Sequence, residues 1–397
     1  MGTVLMMMMS GSHFTRGLRR LGQASLICFS FLGAQMVSDP VLAVPGLNSS
    51  DSVKKIVDMI KVCSERNQNV NVYDLEKELR NRPRQAAQAL VDLLDTNNKN
   101  VQLQAASVLE RLSNNPDFSI SDSSLKTLIA ILRGSKEPEV KASLVRVLGN
   151  IGPKNEDVKA AIIENISGDA EATTKRNAIE ALAKLAQQEK PEFHRKSTEI
   201  LVGILKGDDA PSLRKSAAIA LSRYHNDPEI AVPALIEALN DNYLLVRTAA
   251  VQAIGNYHSG AEAAVPPLLK LLEEEPNEGI RSSTIYTLRT IGKDDQRVVD
   301  KFIELLDDPT LGRSIMSYLY YFGDRAAPAV PKLIKMLDSS DRYQRQYACR
   351  ALGAIGLEAK DALPALEKAT KDSDASVRSN AQTAINNINR INSNGSM

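Results

Sequence analysis

The sequence predicts an all-α fold, a right-handed α-α superhelix of about nine helical pairs behind an N-terminal helical cap. Three observations predict it. The first is the stretch Ala231–His258 (AVPALIEALNDNYLLVRTAAVQAIGNYH), which reads as two short amphipathic helices joined by a polar turn at Asn240–Asn242. Val232, Leu235, Ile236 and Leu239 fall at helical spacing in its first half, with Pro233 near the start, and Val246, Ala250, Ala253, Ile254 and Tyr257 stripe its second half. A pair this short cannot bury both stripes alone and must stack on copies of itself. The second observation is a register that recurs along the chain. The third is composition: aromatic residues make up 4% of the chain and Trp is absent, which suits thin helix–helix layers of small aliphatics.

The register is visible when every second helix is aligned on Arg247. The aligned positions are Gln102, Lys141, Lys175, Arg214, Arg247, Arg281, Gly312, Arg345 and Arg378. Three residues further on stand Ala105, Leu144, Ala178, Ala217, Ala250, Thr284, Ile315, Ala348 and Ala381, mostly small, as a tight helix crossing requires. Seven residues on, every position is Leu or Ile, from Leu109 to Ile385. The solenoid therefore spans residues 84–390. Two longer steps, Gln102 to Lys141 and Lys175 to Arg214, predict longer loops around Asn114–Ser124 and Gln187–His194.

Ahead of the array, residues 44–83 form a linker and cap. Asp51 or Ser52 caps a helix over Val53–Glu65 with Val53, Ile56, Val57, Ile60 and Cys63 inward, and a second helix covers Tyr73–Asn81. Residues 391–397 make a polar tail, with fraying expected from Asn386.

Residues 1–43 have the layout of a secretory signal. Arg16, Arg19 and Arg20 precede an apolar run from Ala24 to Val37, Ser38-Asp39-Pro40 breaks it, and Val41-Leu42-Ala43 offers a cleavage site after Ala43. The run is too short to span a bilayer comfortably, and a retained N-terminal anchor is the alternative. The expected location is extracytoplasmic: periplasmic, luminal or secreted. Cys28 follows Leu26-Ile27 rather than a small residue, which argues against lipidation. Cys63 and Cys349 then remain at opposite ends of the array, too distant for a disulfide, and each reads as a small buried hydrophobe.

Lys plus Arg number 49 against 48 Asp plus Glu. That balance argues against nucleic acid or an anionic membrane as main partner, since both reward a basic surface. No nucleophile–base pair, phosphate-cradling Gly loop or cysteine metal cluster is recognisable, so no catalytic residues, metal or cofactor are assigned. A monomer is expected.

Units reading AVPALIEAL…VRTAAVQAIG, or ALPALEKATKDSDASVRSNAQTAI at Ala362–Ile385, resemble the HEAT-like repeats first named from phycobilisome lyases. The resemblance covers about three-quarters of the chain and implies the armadillo-like solenoid; it does not fix an activity. The group includes bilin lyases, phycobilisome-degradation factors, a di-iron hydroxylase, DNA glycosylases and many scaffolds. The hydroxylase needs repeated His-Glu pairs, whereas none of His13, His194, His225 and His258 is followed by Glu. The glycosylase branch uses aromatic and basic concave residues, and Trp is missing here. Lyases meet phycobilisomes in the cytoplasm, where an exported chain would not be. The favoured reading is a non-enzymatic protein-binding scaffold that uses its concave face. The alternative is a bilin lyase or accessory factor acting on tetrapyrrole-bearing proteins, which an internal start at Met36 would favour.

Two sets of residues stand out. The basic column Lys141, Lys175, Arg214, Arg247, Arg281, Arg345 and Arg378 could bind anions. Acidic turns precede several of its members, however, and favour a structural ladder tying neighbouring units together. The second set is a tyrosine cluster, Tyr318, Tyr320, Tyr321, Tyr343 and Tyr347, in units where Gly312 replaces the basic residue. Exposed rings there would anchor a partner. Alternatively they fill the space left by Gly312. Tyr243, Tyr257 and Tyr286 are possible extensions of the patch.

Overall fold

The computed structural model describes residues 83–394 except 153, 154 and 208, together with positions 53, 57, 58, 60, 61 and 79. Among the described residues nine helical pairs follow one another: α1 (Pro83–Leu94) with α2 (Lys99–Ser113), α3 (Asp122–Gly134) with α4 (Pro138–Ile151), and α5 (Glu156–Ser167) with α6 (Ala172–Ala186). Next come α7 (Pro191–Lys206) with α8 (Pro211–Tyr224), α9 (Pro228–Ala238) with α10 (Leu244–Asn256), and α11 (Val265–Glu274) with α12 (Glu278–Ile291). The array ends with α13 (Gln296–Glu304) and α14 (Gly312–Tyr318), α15 (Val330–Met336) and α16 (Arg342–Ile355), and α17 (Leu363–Ala369) and α18 (Ala375–Asn394). No strand occurs among the described residues.

Local chemistry sets the boundaries. Asn98, Ser121, Asn155, Asn277, Asp295 and Asp341 cap their helices by accepting from backbone N–H groups of the first turn. Pro138, Pro191, Pro211 and Pro228 occupy first turns, where no N–H is needed. The aligned columns form one continuous core: Ala105, Leu144, Ala178, Ala217, Ala250, Thr284, Ile315, Ala348 and Ala381 are all buried. The Leu/Ile column behind them is buried as well, apart from the half-buried Ile385. Even-numbered helices of successive units pack more closely on one another than odd-numbered ones do, which puts the even row on the inside of the curve. Small residues permit this: a Cβ on Gly353 would come within 2.9 Å of the Ala384 Cα, and one on Gly149 within 2.6 Å of the Ala181 Cβ.

Three details depart from the sequence expectations. The first of the longer steps enlarges a loop, residues 114–121, but the second mainly lengthens α7, which reaches 16 residues. Helix α9 begins at Pro228, so Pro233 lies in its interior rather than at its start. Elsewhere the matching Val-Pro or Leu-Pro step opens a helix behind a 3-10 segment, at His258–Ala264, Leu319–Ala329 and Gly356–Ala362. Finally, α18 continues to Asn394, into the stretch expected to fray.

Of the expected cap, Val53, Val57, Ile60 and Leu79 join the core. Most of its other residues, Cys63 among them, lie outside the described residues, as do the secretory segment and its cleavage site. No helix among the described residues is long and apolar enough to cross a membrane.

Candidate functional site

The even row presents the inner surface, and the basic column lies at the head of seven of its nine described helices. Three of the seven residues bridge units. Arg214 Nε donates to Asp241 Oδ2 at 2.7 Å, Arg247 Nε to Glu275 Oε2 at 2.8 Å and Arg345 Nε to Asp372 Oδ2 at 2.7 Å, each with a second bond from Nη2. The acceptor lies in the turn of the next unit, while Nη1 donates back to a carbonyl of the preceding turn: Asp209, Asp241 or Ser339. One guanidinium thus spans two turns. These pairs are largely buried, and Glu275 is only 6% exposed. The hydrogen bonds from Arg214 and Arg345 hold Asp241 and Asp372 below the usual carboxylate range. At Glu275 burial pulls upward, but the bonds from Arg247 and the Asn277 N–H outweigh it.

The remaining four depart from this pattern. Lys141 and Lys175 form no ion pair among the described residues. Arg281 reaches only the Thr310 hydroxyl, at 3.4 Å, while Asp308, the carboxylate in register, accepts from the Thr310 and Leu311 N–H groups. Arg378 makes only the backward bonds, to the Asp372 and Ser373 carbonyls.

The five tyrosines divide into groups. Tyr320 and Tyr321 stack with centroids 3.9 Å apart. The Arg289 guanidinium lies 4.8 Å from the rings of Tyr286 and Tyr318 and 4.6 Å from that of Tyr321, and Arg350 lies 4.6 Å from that of Tyr320. Three successive units, α12, α14 with its 3-10 extension and α16, therefore converge on one cationic–aromatic cluster. Tyr321 is 50% exposed and Tyr286 53%. The hydrogen bond between the Tyr320 and Tyr321 hydroxyls pushes the first up and the second down, and the nearby guanidinium charges favour both phenolates.

Tyr343 lies apart, between Arg313 and Arg342, both already paired with carboxylates, Asp341 and Asp374. Tyr347 is half-buried against the core. Of the possible extensions, Tyr286 joins the cluster and Tyr243 stacks elsewhere, over Arg214. Tyr257 is buried and donates to the Leu221 carbonyl, so it belongs to the core. The rings do not fill space left by Gly312: the Leu306 carbonyl oxygen occupies the place of its missing side chain. Arg289, the hub of the cluster, was missed from the sequence because it falls outside the aligned columns.

No cluster of three or more metal-ligating side chains occurs among the described residues. His225 and His258 are exposed, with left-handed backbone, just after α8 and α10, and His194 Nδ1 faces Asn226. Cys349 is buried, and burial pushes its thiol up to about 12. A cleft of about 770 Å³ lies on the odd row between α5 and α7, where Lys159 pairs with Glu156 and Glu189 beside Phe193.

The chain matches the HEAT-repeat family over residues 125–222, 160–255, 232–317 and 321–393. No curated protein matches significantly. Among solved structures it is similar to an engineered protein at 21% identity and TM-score 0.50, covering 85% of this chain and 99% of that one. It is similar to importin beta at 13% identity and TM-score 0.58, over 86% and 52% of the two chains. Kap95 in a Kap95:Nup1 complex gives 16% identity and TM-score 0.58, over 86% and 51%. The chain spans about half the length of these last two.

Proposed function

The chain belongs to the HEAT-repeat family, and from that premise we propose a non-enzymatic scaffold that binds protein partners along its inner, even-numbered helices. The observation that carries this reading is the Tyr286–Arg289–Tyr321 cluster, where rigid amphipathic rings stand exposed on the even row. Rings of this kind bury large area at little conformational cost. A row of stacked units also offers the extended contact, about 800 Å² per partner, that specific association uses. The proposed compartment is extracytoplasmic, supported by the basic, apolar and small-residue succession up to Ala43.

The test is affinity capture from native extract with a C-terminally tagged full chain, in parallel with a Tyr320→Ala/Tyr321→Ala variant. A specific protein lost by the variant, with circular dichroism and melting unchanged, is the expected result. The same proteins held by both would remove the tyrosines from the binding surface, and no specific capture would sink the scaffold reading. Coloured, tetrapyrrole-bearing captures would favour a lyase role instead. N-terminal sequencing of the mature protein should begin at Val44. An intact Met1 in a cytoplasmic fraction would overturn the compartment.

A further inference from the structure

We propose that Arg289 and Arg350, held on the rings of Tyr286, Tyr318, Tyr320 and Tyr321, form a receptor for an acidic stretch of a partner protein, gripped through its carboxylates. The inference rests on the protein-binding reading above and specifies the chemistry of what is bound.

Charge is the first argument. Four arginines near this site are neutralised within the chain: Arg313 by Asp341, Arg325 by Asp294, Arg342 by Asp374 and Arg345 by Asp372. Arg289 and Arg350 pair with no carboxylate among the described residues and are held by rings instead. Arg289 is half-buried, and its Nε is buried without an acceptor. A partly desolvated guanidinium with no counter-anion is a costly arrangement, and the charge of an incoming carboxylate offsets it.

Geometry is the second. A guanidinium recognises a carboxylate through paired N–H donors, a geometry that a compact ammonium does not offer. The rings also fix the arginine rotamers, which lowers the ordering cost of binding. The two guanidinia flank the Tyr320–Tyr321 stack, so carboxylates spaced along one peptide can reach both, while the exposed ring edges take apolar side chains between them.

Single-stranded nucleic acid also stacks on Tyr and Arg, but it needs a basic track for its phosphates. Towards the N-terminus the inner row alternates Glu110, Arg146, Glu180 and Lys184, and the whole chain carries a net charge of only +1. Carboxylates on a protein partner fit that pattern better.

The experiment is fluorescence anisotropy with the full-length protein. The probes are a labelled octapeptide of alternating Glu and Ala, its Gln/Ala counterpart, and a labelled oligothymidylate. The Glu peptide should bind in a salt-sensitive manner and the Gln peptide should not. Arg289→Gln/Arg350→Gln should weaken binding by about tenfold or more. Arg176→Gln, on the exposed face of α6 and without an ion pair among the described residues, should leave binding unchanged. If the double variant melts early, Arg350→Gln alone serves, since Arg350 is exposed; a loss of about threefold or more is then expected. Equal binding of the Glu and Gln peptides, equal losses in the Arg176 variant, or preference for the oligothymidylate would each overturn the proposal. Failure of the peptide assay while the native chain still captures partners overturns this inference alone. Failure of capture overturns the scaffold reading.

Discussion

At the scale of single residues, the aligned position joins two units where it holds Arg214, Arg247 or Arg345 and not where it holds Lys141 or Lys175. Arg247 serves Glu275 with two donors and the Asp241 carbonyl with a third, an arrangement open to a fork and closed to an ammonium. Arg247→Met should therefore leave the Glu275 charge buried without a counter-charge and lower stability by about 3 kcal/mol in urea unfolding at pH 7. The sign of the pH effect follows from linkage. Glu275 is held below its ordinary value in the folded protein, so its contribution is present above the unfolded value, about 4.3, and fades as pH falls through the folded one. The gap between wild type and variant should accordingly narrow below about pH 4; a gap unchanged to pH 3 would show that Glu275 does not supply it. Gly312 gives a second diagnostic. Gly→Ala inside a helix ordinarily stabilises by up to about 1 kcal/mol, but here a Cβ would strike the Leu306 carbonyl oxygen. Gly312→Ala should destabilise by about 1–3 kcal/mol, and a gain in melting temperature would contradict the close approach.

At the scale of elements, most of what the sequence promised came from period and punctuation, and the departures have local causes. Helix pairs were legible because the buried columns repeat at fixed offsets, and boundaries because Asn, Asp, Ser and Pro mark first turns. The placement of Pro233 was not legible, because Pro is compatible with a first turn and with an interior that bends around it. Its exposed ring removes one backbone donor from the middle of α9. Pro233→Ala should restore that donor and raise stability by about 1 kcal/mol, measured by thermal melting. A loss instead would mean that α9 is bent to fit its neighbours and that straightening it breaks packing. The tyrosine cluster illustrates the other limit. Five rings close in sequence read as one patch, yet Tyr343 and Tyr347 face other partners, and the hub, Arg289, comes from the preceding unit. Contacts between units depend on how far one helix is rotated on the next, which a repeat register does not encode.

At the scale of the whole molecule, a solenoid is held together by its nearest-neighbour interfaces, so its weakest seam governs where it opens. The bidentate bridges join α8 to the α9–α10 turn, α10 to the α11–α12 turn and α16 to the α17–α18 turn. Between α12 and α16 no such bridge from the aligned column exists: Arg281 reaches a hydroxyl, and Gly312 stands at the next aligned position. Helices α13 and α14 are also short, nine and seven residues, and a 3-10 segment follows them. Native-state hydrogen exchange should therefore show α13 and α14 opening at lower free energy than α9–α10 or α16–α18, and uniform protection would contradict the seam. The cationic–aromatic cluster lies across this same seam, with Arg289 on α12, Tyr318 on α14 and Arg350 on α16. A partner that engages both arginines would clamp three units at once. Binding should then slow exchange in α13 and α14 more than anywhere else, because there the contacts lacking within the chain are supplied from outside.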